Sequence, residues 1–166
     1  ASGCGVMVKD YGHILHDDPQ YAAKARRVSE LTKDVSEWLP ELADQLKGRV
    51  AGSASRIAFH PPCTMQHGMQ LRGGVEKYMG ELGFNVKVTG CEAHLCCGSA
   101  GTYSVLNPSI SYQLRDRKLG NLATTFGAES TEQIVSANIG CITHLQSGTD
   151  TPVRHWIEVL DEALQK

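Results

Sequence analysis

The chain has 166 residues, of which 41% are hydrophobic and 20% charged, with a formal net charge of −2, the profile of one globular domain. No apolar run approaches the roughly 18 residues of a membrane span, and no signal-peptide pattern is present. The mixed charges form no basic stripe, which removes the electrostatic footprint of a nucleic-acid binder. A chain of this length buries roughly 70% of its unfolded surface. Its six cysteines are therefore not needed as staples for a small core, and they point to metal, cluster or redox chemistry in a reducing compartment.

Along the chain, Ser2-Gly3-Cys4-Gly5 reads as a strand end running into a glycine turn. Asp17-Asp18-Pro19 then starts a helix, with Tyr21, Ala25, Val28, Leu31, Val35, Trp38 and Leu42 at three- and four-residue steps along one apolar face. Pro40 is expected to break or bend it. Residues 56–60 read as a short strand stopped by Pro61-Pro62. Leu71, Val75, Tyr78, Met79 and Leu82 mark a second amphipathic helix, ended by Gly83. A strand over 84–88, a helix over 108–126, a strand over 133–137 and a closing helix over 152–164 complete the pattern. Repeated strand-then-helix order predicts an α/β fold, a mainly parallel sheet flanked by helices.

In that fold Cys63 follows the first strand, the doublet Cys96-Cys97 the second and Cys141 the third. Ligands of open α/β sheets bind outside the carboxyl ends of the strands, so thiols far apart in sequence can meet at one edge. Neighbouring side chains diverge on a strand or helix, so two adjacent thiols reach one partner most readily from a loop. Gly98, Gly101 and Gly140 allow tight turns and a close backbone approach to a bulky cofactor. Four thiolates, or three with an imidazole, suit zinc or an iron–sulfur cluster and exclude calcium and magnesium. Metal would deprotonate thiols whose free pKa is about 8.5. His144, one turn beyond Cys141, is a further ligand candidate, whereas His60, His67 and His94 flank the cysteine loops as hydrogen-bond donors to sulfur. Cys91 reads as a packing residue, and His13, His16 and His155 as surface or interface residues.

These residues resemble the cysteine-rich CCG domain family, found in heterodisulfide reductases and in the iron–sulfur subunits of flavin-linked dehydrogenases. The likeness rests on Ser2-Gly3-Cys4-Gly5 with Lys9-Asp10-Tyr11-Gly12, on His60-Pro61-Pro62-Cys63, and on His94-Leu95-Cys96-Cys97-Gly98-Ser99-Ala100-Gly101. It continues through Asn138-Ile139-Gly140-Cys141-Ile142-Thr143-His144 and Arg154-His155-Trp156, and so covers nearly the whole chain. Within the family the chain is most similar to the C-terminal part of glycolate oxidase iron–sulfur subunits. Members carry two copies of the module. The resemblance therefore implies that residues 1–16 are the tail of a preceding copy, Cys4 included, and that 17–166 form one cysteine-rich domain.

It further implies Cys63, Cys96, Cys97 and Cys141 as metal ligands, with His144 standing where the fullest family motif has a fourth-position cysteine. The implied cofactor is an iron–sulfur cluster of the [4Fe–4S] kind, with zinc as the substitute in an isolated module. The implied function is an electron-transfer module, non-catalytic itself, of a glycolate oxidase or dehydrogenase complex. Its partners would be the flavin-containing subunits and, indirectly, a quinone or membrane-associated acceptor, in the cytoplasm or peripherally on the inner face of the cell membrane. Two other readings of the residues stay open: a structural or regulatory zinc domain, and a thiol–disulfide module pairing Cys63 or Cys141 with the doublet.

Overall fold

A computed structural model describes residues 2–164; Ala1, Gln165 and Lys166, the outermost positions of the two expected units, lie outside the described residues. Helices α1 (Ser2–Lys9), α2 (Tyr11–Ile14), α3 (Ala22–Leu31) and α4 (Leu39–Leu46) lead into strand β1 (Ile57–His60). A tight turn (Thr64–Gly68), α5 (Gly74–Glu81), β2 (Val86–Val88), α6 (Tyr103–Leu106) and α7 (Pro108–Ala123) follow. The chain then runs through β3 (Gln133–Ser136), α8 (Ile139–Gln146), β4 (Val153–His155) and α9 (Trp156–Glu162). The strands make one sheet in the order β2-β1-β3-β4, and every pairing is parallel. The expected α/β class is the observed one.

Alternation along β1 and β3 divides the core in two. Ile57, Phe59, Val135 and Ala137 join a larger cluster with Leu39, Val75, Met79, Trp156 and Leu160, supplied by α4, α5 and α9. Ala58 and Ile134 face the other way, into a smaller cluster with Leu122, Leu145 and Val153, supplied chiefly by α7 and α8. That second cluster also contains Cys97 and Cys141. Each fully buried Phe, Ile or Leu contributes roughly 1.5–3 kcal/mol, so both faces of this narrow sheet are firmly covered.

Three elements differ from the sequence expectation. Ser2-Gly3-Cys4-Gly5, expected as a strand end running into a glycine turn, instead opens helix α1. The helix expected from Asp17 to Leu42 is divided into α3 and α4 by an extended Thr32 and a short 3-10 turn over Val35–Trp38. The cause is a capping box: the Asp34 carboxylate accepts from the Ser36 N–H at 3.0 Å, and the Glu37 carboxylate from the Asp34 N–H at 2.7 Å. Pro40 breaks nothing, because it sits in the first turn of α4, where no amide donor is required. Tyr21, Val28, Leu31, Trp38 and Leu42 remain exposed, whereas Ala25, Leu39 and Ala43 are buried. The closing helix starts only at Trp156, because Val153–His155 is spent as an edge strand, with Val153 opposite Ile134.

Residues 2–16 lie against the rest of the chain. Ser2 is fully buried, its N–H donating to the Ala137 carbonyl at 3.0 Å and its hydroxyl meeting Thr64 Oγ1 at 2.9 Å. The Gly12 N–H reaches Ser29 Oγ at 2.8 Å, and Lys9 pairs with Glu37 at 3.3 Å.

Candidate metal centre

Every cysteine loop leaves the carboxyl end of a strand. β1 ends at His60, and Pro61-Pro62 removes two backbone donors and turns the chain, so that Cys63 opens the tight turn at 64–68. β2 leads into the irregular loop carrying Cys91, Cys96 and Cys97. β3 leads through Asn138 into α8, where the Asn138 side chain accepts from the Gly140 N–H at 3.0 Å and Cys141 is the third helical residue. A thiolate at that position is favoured by the partial positive charge of the helix N-terminus.

The loops are tied to one another. Gln66 Nε2 donates to the carbonyls of Pro61 and Ala93 at 2.7 and 3.1 Å, joining the first loop to the second. Asn138 Nδ2 donates to Thr64 Oγ1 at 3.3 Å, joining the third to the first, and Ser136 Oγ donates to the His60 carbonyl at 2.9 Å. Ser111 Oγ of α7 donates to the Gly98 carbonyl at 2.8 Å. Gly98 has φ +94°, and a Cβ there would stand 2.4 Å from the Ser111 carbonyl oxygen. Only glycine allows the doublet loop to lie this close to α7.

The sulfurs converge in the enclosure these ties create. Cys97 and Cys141 are buried, and their Sγ atoms lie with a ring nitrogen of buried His60 within 4.8 Å of one another. Cys96 neighbours both Cys63 and Cys97, its leading hydrogen-bond partners, and Cys63 and Cys96 are part-exposed. The order is thus Cys63, Cys96, Cys97, Cys141, His60.

Hydrogen bonds along this row, from Cys63 first and then Cys97, with the Gly98 N–H at 3.4 Å, pull the Cys96 thiol down to about 2. Cys97, with help from His60, pulls Cys141 down to about 5 against the effect of burial. Their donors move the opposite way: Cys63 is raised by Cys96 and by burial, and Cys97 is raised by Cys141, Cys96 and burial. The row thus favours the thiolate at Cys96 and Cys141 and the thiol at Cys63 and Cys97.

His60 gives the sharpest sign that the cavity is built for a ligand. It is 1% exposed, and neither Nδ1 nor Nε2 has an oxygen or nitrogen partner among the described residues; the polar atoms beside the ring are the Cys97 and Cys141 sulfurs. A buried imidazole with two unsatisfied nitrogens is costly unless something else occupies them. Soft thiolates and an imidazole suit an iron–sulfur cluster or zinc, and the donor set fits either.

His144 lies elsewhere. Its Nε2 meets Ser111 Oγ at 3.1 Å and its ring stacks on Tyr112, lining an open pocket of about 640 Å³ with Ser99, Ile139 and Gly140. His67 and His94 are exposed and joined by a hydrogen bond from His67 Nε2 to the His94 carbonyl at 3.2 Å, outside the sulfur row. Cys4 is exposed, and so is Cys91, which therefore does not fill the packing role expected of it. The signal for His60 was present in the sequence: period-two alternation places it on the same face of β1 as Ala58, toward Cys97 and Cys141.

Residues 57–146 match the family model described as the cysteine-rich domain. The chain is 48% identical to the glycolate oxidase iron–sulfur subunit of Escherichia coli (strain K12) over all of its length and 39% of that protein's. It is 31% identical to lactate utilization protein A of Bacillus cereus (strain G9842), over 97% of this chain and 67% of that protein. Against lactate utilization protein A of Geobacillus kaustophilus the identity is 29%, again over 97% of this chain and 67% of the relative. The chain therefore spans well under half of the first relative and about two thirds of the other two.

Proposed function

The chain belongs to the cysteine-rich (CCG) domain family, and from that premise we propose that it is an iron–sulfur electron-transfer module of a glycolate-oxidising complex. The observation that carries this reading is the row Cys63, Cys96, Cys97 and Cys141, closed by a buried His60 with no other partner among the described residues. The name of the Escherichia coli relative, an iron–sulfur subunit of glycolate oxidase, supports the choice of complex.

In this reading Cys63, Cys96, Cys97 and Cys141 hold a [4Fe–4S] cluster, and His60 serves as a fifth donor or as a hydrogen-bond donor to a cysteine sulfur. A cluster held there supplies one-electron transfer. The protein's part is to fix the ligands, to keep water from the Cys97 and Cys141 side and to set the charge around the site. The flavin-containing subunits deliver the electrons, and a quinone or membrane-associated acceptor takes them, with the module in the cytoplasm and at most peripheral to the inner membrane face. No helix among the described residues is long and apolar enough to cross a membrane.

Residues 1–16 are read as the end of a preceding copy of the module. In α1 and in α8 a Gly-Cys pair occupies the second and third positions of an eight-residue helix. The two helix starts also touch, since a Cβ on Gly3 would stand 2.9 Å from Asn138 Nδ2. Cys4 is then the last ligand of the preceding site.

A double change, Cys96→Ser with Cys97→Ser, tests the site. Reconstituted without oxygen with iron and sulfide, the variant should retain no iron while its far-ultraviolet circular dichroism stays close to that of the parent. Iron retention equal to the parent's would remove the doublet from the centre, and zinc without sulfide in the parent would favour a structural zinc domain.

A further inference from the structure

Helix α7 lies beneath the doublet loop, and one of its faces carries a charge that nothing yet described explains. Ser111, Lys118 and Leu122 are spaced by seven and four residues, which places them on one side of the helix, and all three are 0% exposed. Each meets the cysteine region. Ser111 holds the Gly98 carbonyl, and Leu122 packs in the cluster that contains Cys97 and Cys141. Between them Lys118 Nζ donates to the Glu92 carbonyl at 2.5 Å. Ser111 and Lys118 thus grip the doublet loop at its two ends, with Cys96 and Cys97 between.

Fully buried lysines are rare unless paired. An ammonium taken out of water is costly, and one neutral carbonyl does not offset that cost. Among the described residues no carboxylate lies within ion-pairing distance of Lys118, because the nearby Glu92 carboxylate is taken by Arg117 and Asn121. Glu92 itself is held at φ +50°, an uncommon conformation for a residue with a side chain, and so its carbonyl is aimed by these contacts. Burial, the largest influence on Lys118, disfavours its charged form, and the groups that favour the ammonium are Cys97 foremost, once ionised as a metal ligand, then Glu92, Cys96 and Cys91. A buried cation lacking a carboxylate partner and held against the loop that carries Cys96 and Cys97 has its counter-charge in that doublet once it ligates a metal.

We propose that the buried Lys118 ammonium is the fixed counter-charge of the cysteine centre, stabilising its negatively charged thiolate–metal state and raising the reduction potential of a cluster bound there. This rests on the reading of the cysteines as ligands. The electrostatic step is simple: reduction adds one electron and no compensating cation, so a fixed positive charge in a medium of low dielectric favours the reduced form. Lys118 is a positioning residue, acting through the field it imposes.

Two neutral variants of the full chain test it. Lys118→Met removes the charge and the bond to Glu92; Lys118→Gln removes the charge and keeps an amide donor. Reduction midpoints would be read by potentiometric titration of the protein reconstituted with iron and sulfide. Cobalt(II) affinity would be read from thiolate-to-cobalt absorption in anaerobic, metal-free protein. Both variants should show a more negative midpoint and a cobalt affinity at least several-fold weaker than the parent's. Near-ultraviolet circular dichroism of buried Trp156 confirms the fold, and should Lys118→Met fail to fold, Lys118→Gln carries the test. Parent-like midpoint and affinity in a folded Lys118→Met would overturn the proposal. Loss in Lys118→Met with parent-like behaviour in Lys118→Gln would overturn it too, by showing that the bond matters and the charge does not. A parent that binds neither cluster nor cobalt would overturn the ligand reading along with it.

Discussion

Single residues divide sharply into those whose role shows in residue type and those whose role depends on direction. Cys63, Cys96, Cys97 and Cys141 stand out in the sequence because adjacent thiols and strand-end loops are uncommon ways to fill a core, and the fold brings their loops together. His144 and His60 exchange weight. One turn beyond Cys141, His144 sits on nearly the same helical face, but its ring turns to Ser111 and Tyr112. His60 ends a strand on the face that carries Ala58, beside Cys97 and Cys141. Spacing alone does not say where a ring points; strand alternation does. His60→Ala should accordingly cut iron retention several-fold, whereas His144→Ala should leave it within about twofold, both read by iron content after reconstitution. The opposite ranking would restore His144 as the ligand.

A lysine inside α7 is the residue the sequence hid best. Lys118 lies in a segment rich in charged residues, where it reads as a solvated position. Its burial follows from where the Cys91–Cys97 loop lies, which no local pattern announces.

At the scale of elements, strands and helices with a strong period were legible and their joints were not. The α3–α4 break depends on the Asp34 capping box, and β4 on a three-residue pairing with β3, both of which are local choices settled by tertiary contact. The joint between β4 and α9 has a pH dependence of its own. His155 Nδ1 accepts from the Ile157 N–H at 3.2 Å, a role only the unprotonated nitrogen can fill, and burial, first among the causes, lowers the His155 pKa from 6.5. A lowered folded-state pKa means the contribution is fully present above about 6.5 and is lost as pH falls through the folded value. His155→Asn, which caps at any pH, should therefore lose less thermal stability than the parent between pH 7.5 and 5, the difference reaching about 1 kcal/mol. Parallel losses in the two proteins would remove the cap from the account.

The doublet loop and α7 meet at Gly98, and their contact is a second test at this scale. Gly98→Ala places a methyl 2.4 Å from the Ser111 carbonyl oxygen on a backbone at φ +94°. Destabilisation of more than about 1 kcal/mol is expected from the conformation alone, together with loss of iron retention as the loop shifts. Denaturant unfolding and iron content check the two effects separately. A variant that keeps both would mean the loop can move away from α7 without consequence for the site.

For the molecule as a whole, strand order explains why cysteines dispersed over residues 63–141 meet. β1 and β3 are neighbours in the centre of the sheet and β2 lies on the other side of β1, so three consecutive strand ends deliver all four cysteines to one edge. The α/β class and that shared edge were legible from repeated strand–helix order. The exposed apolar side chains of α3 and α4 were not, since the same spacing ordinarily marks a buried face.

The central claim is that this edge holds an iron–sulfur cluster. The most direct measurement is iron and acid-labile sulfide content with an EPR spectrum, on the chain prepared and reconstituted without oxygen, before and after reduction with dithionite. The account predicts iron and sulfide in matching amounts and a signal that changes on reduction. Zinc without sulfide, or no bound metal at all, would contradict it.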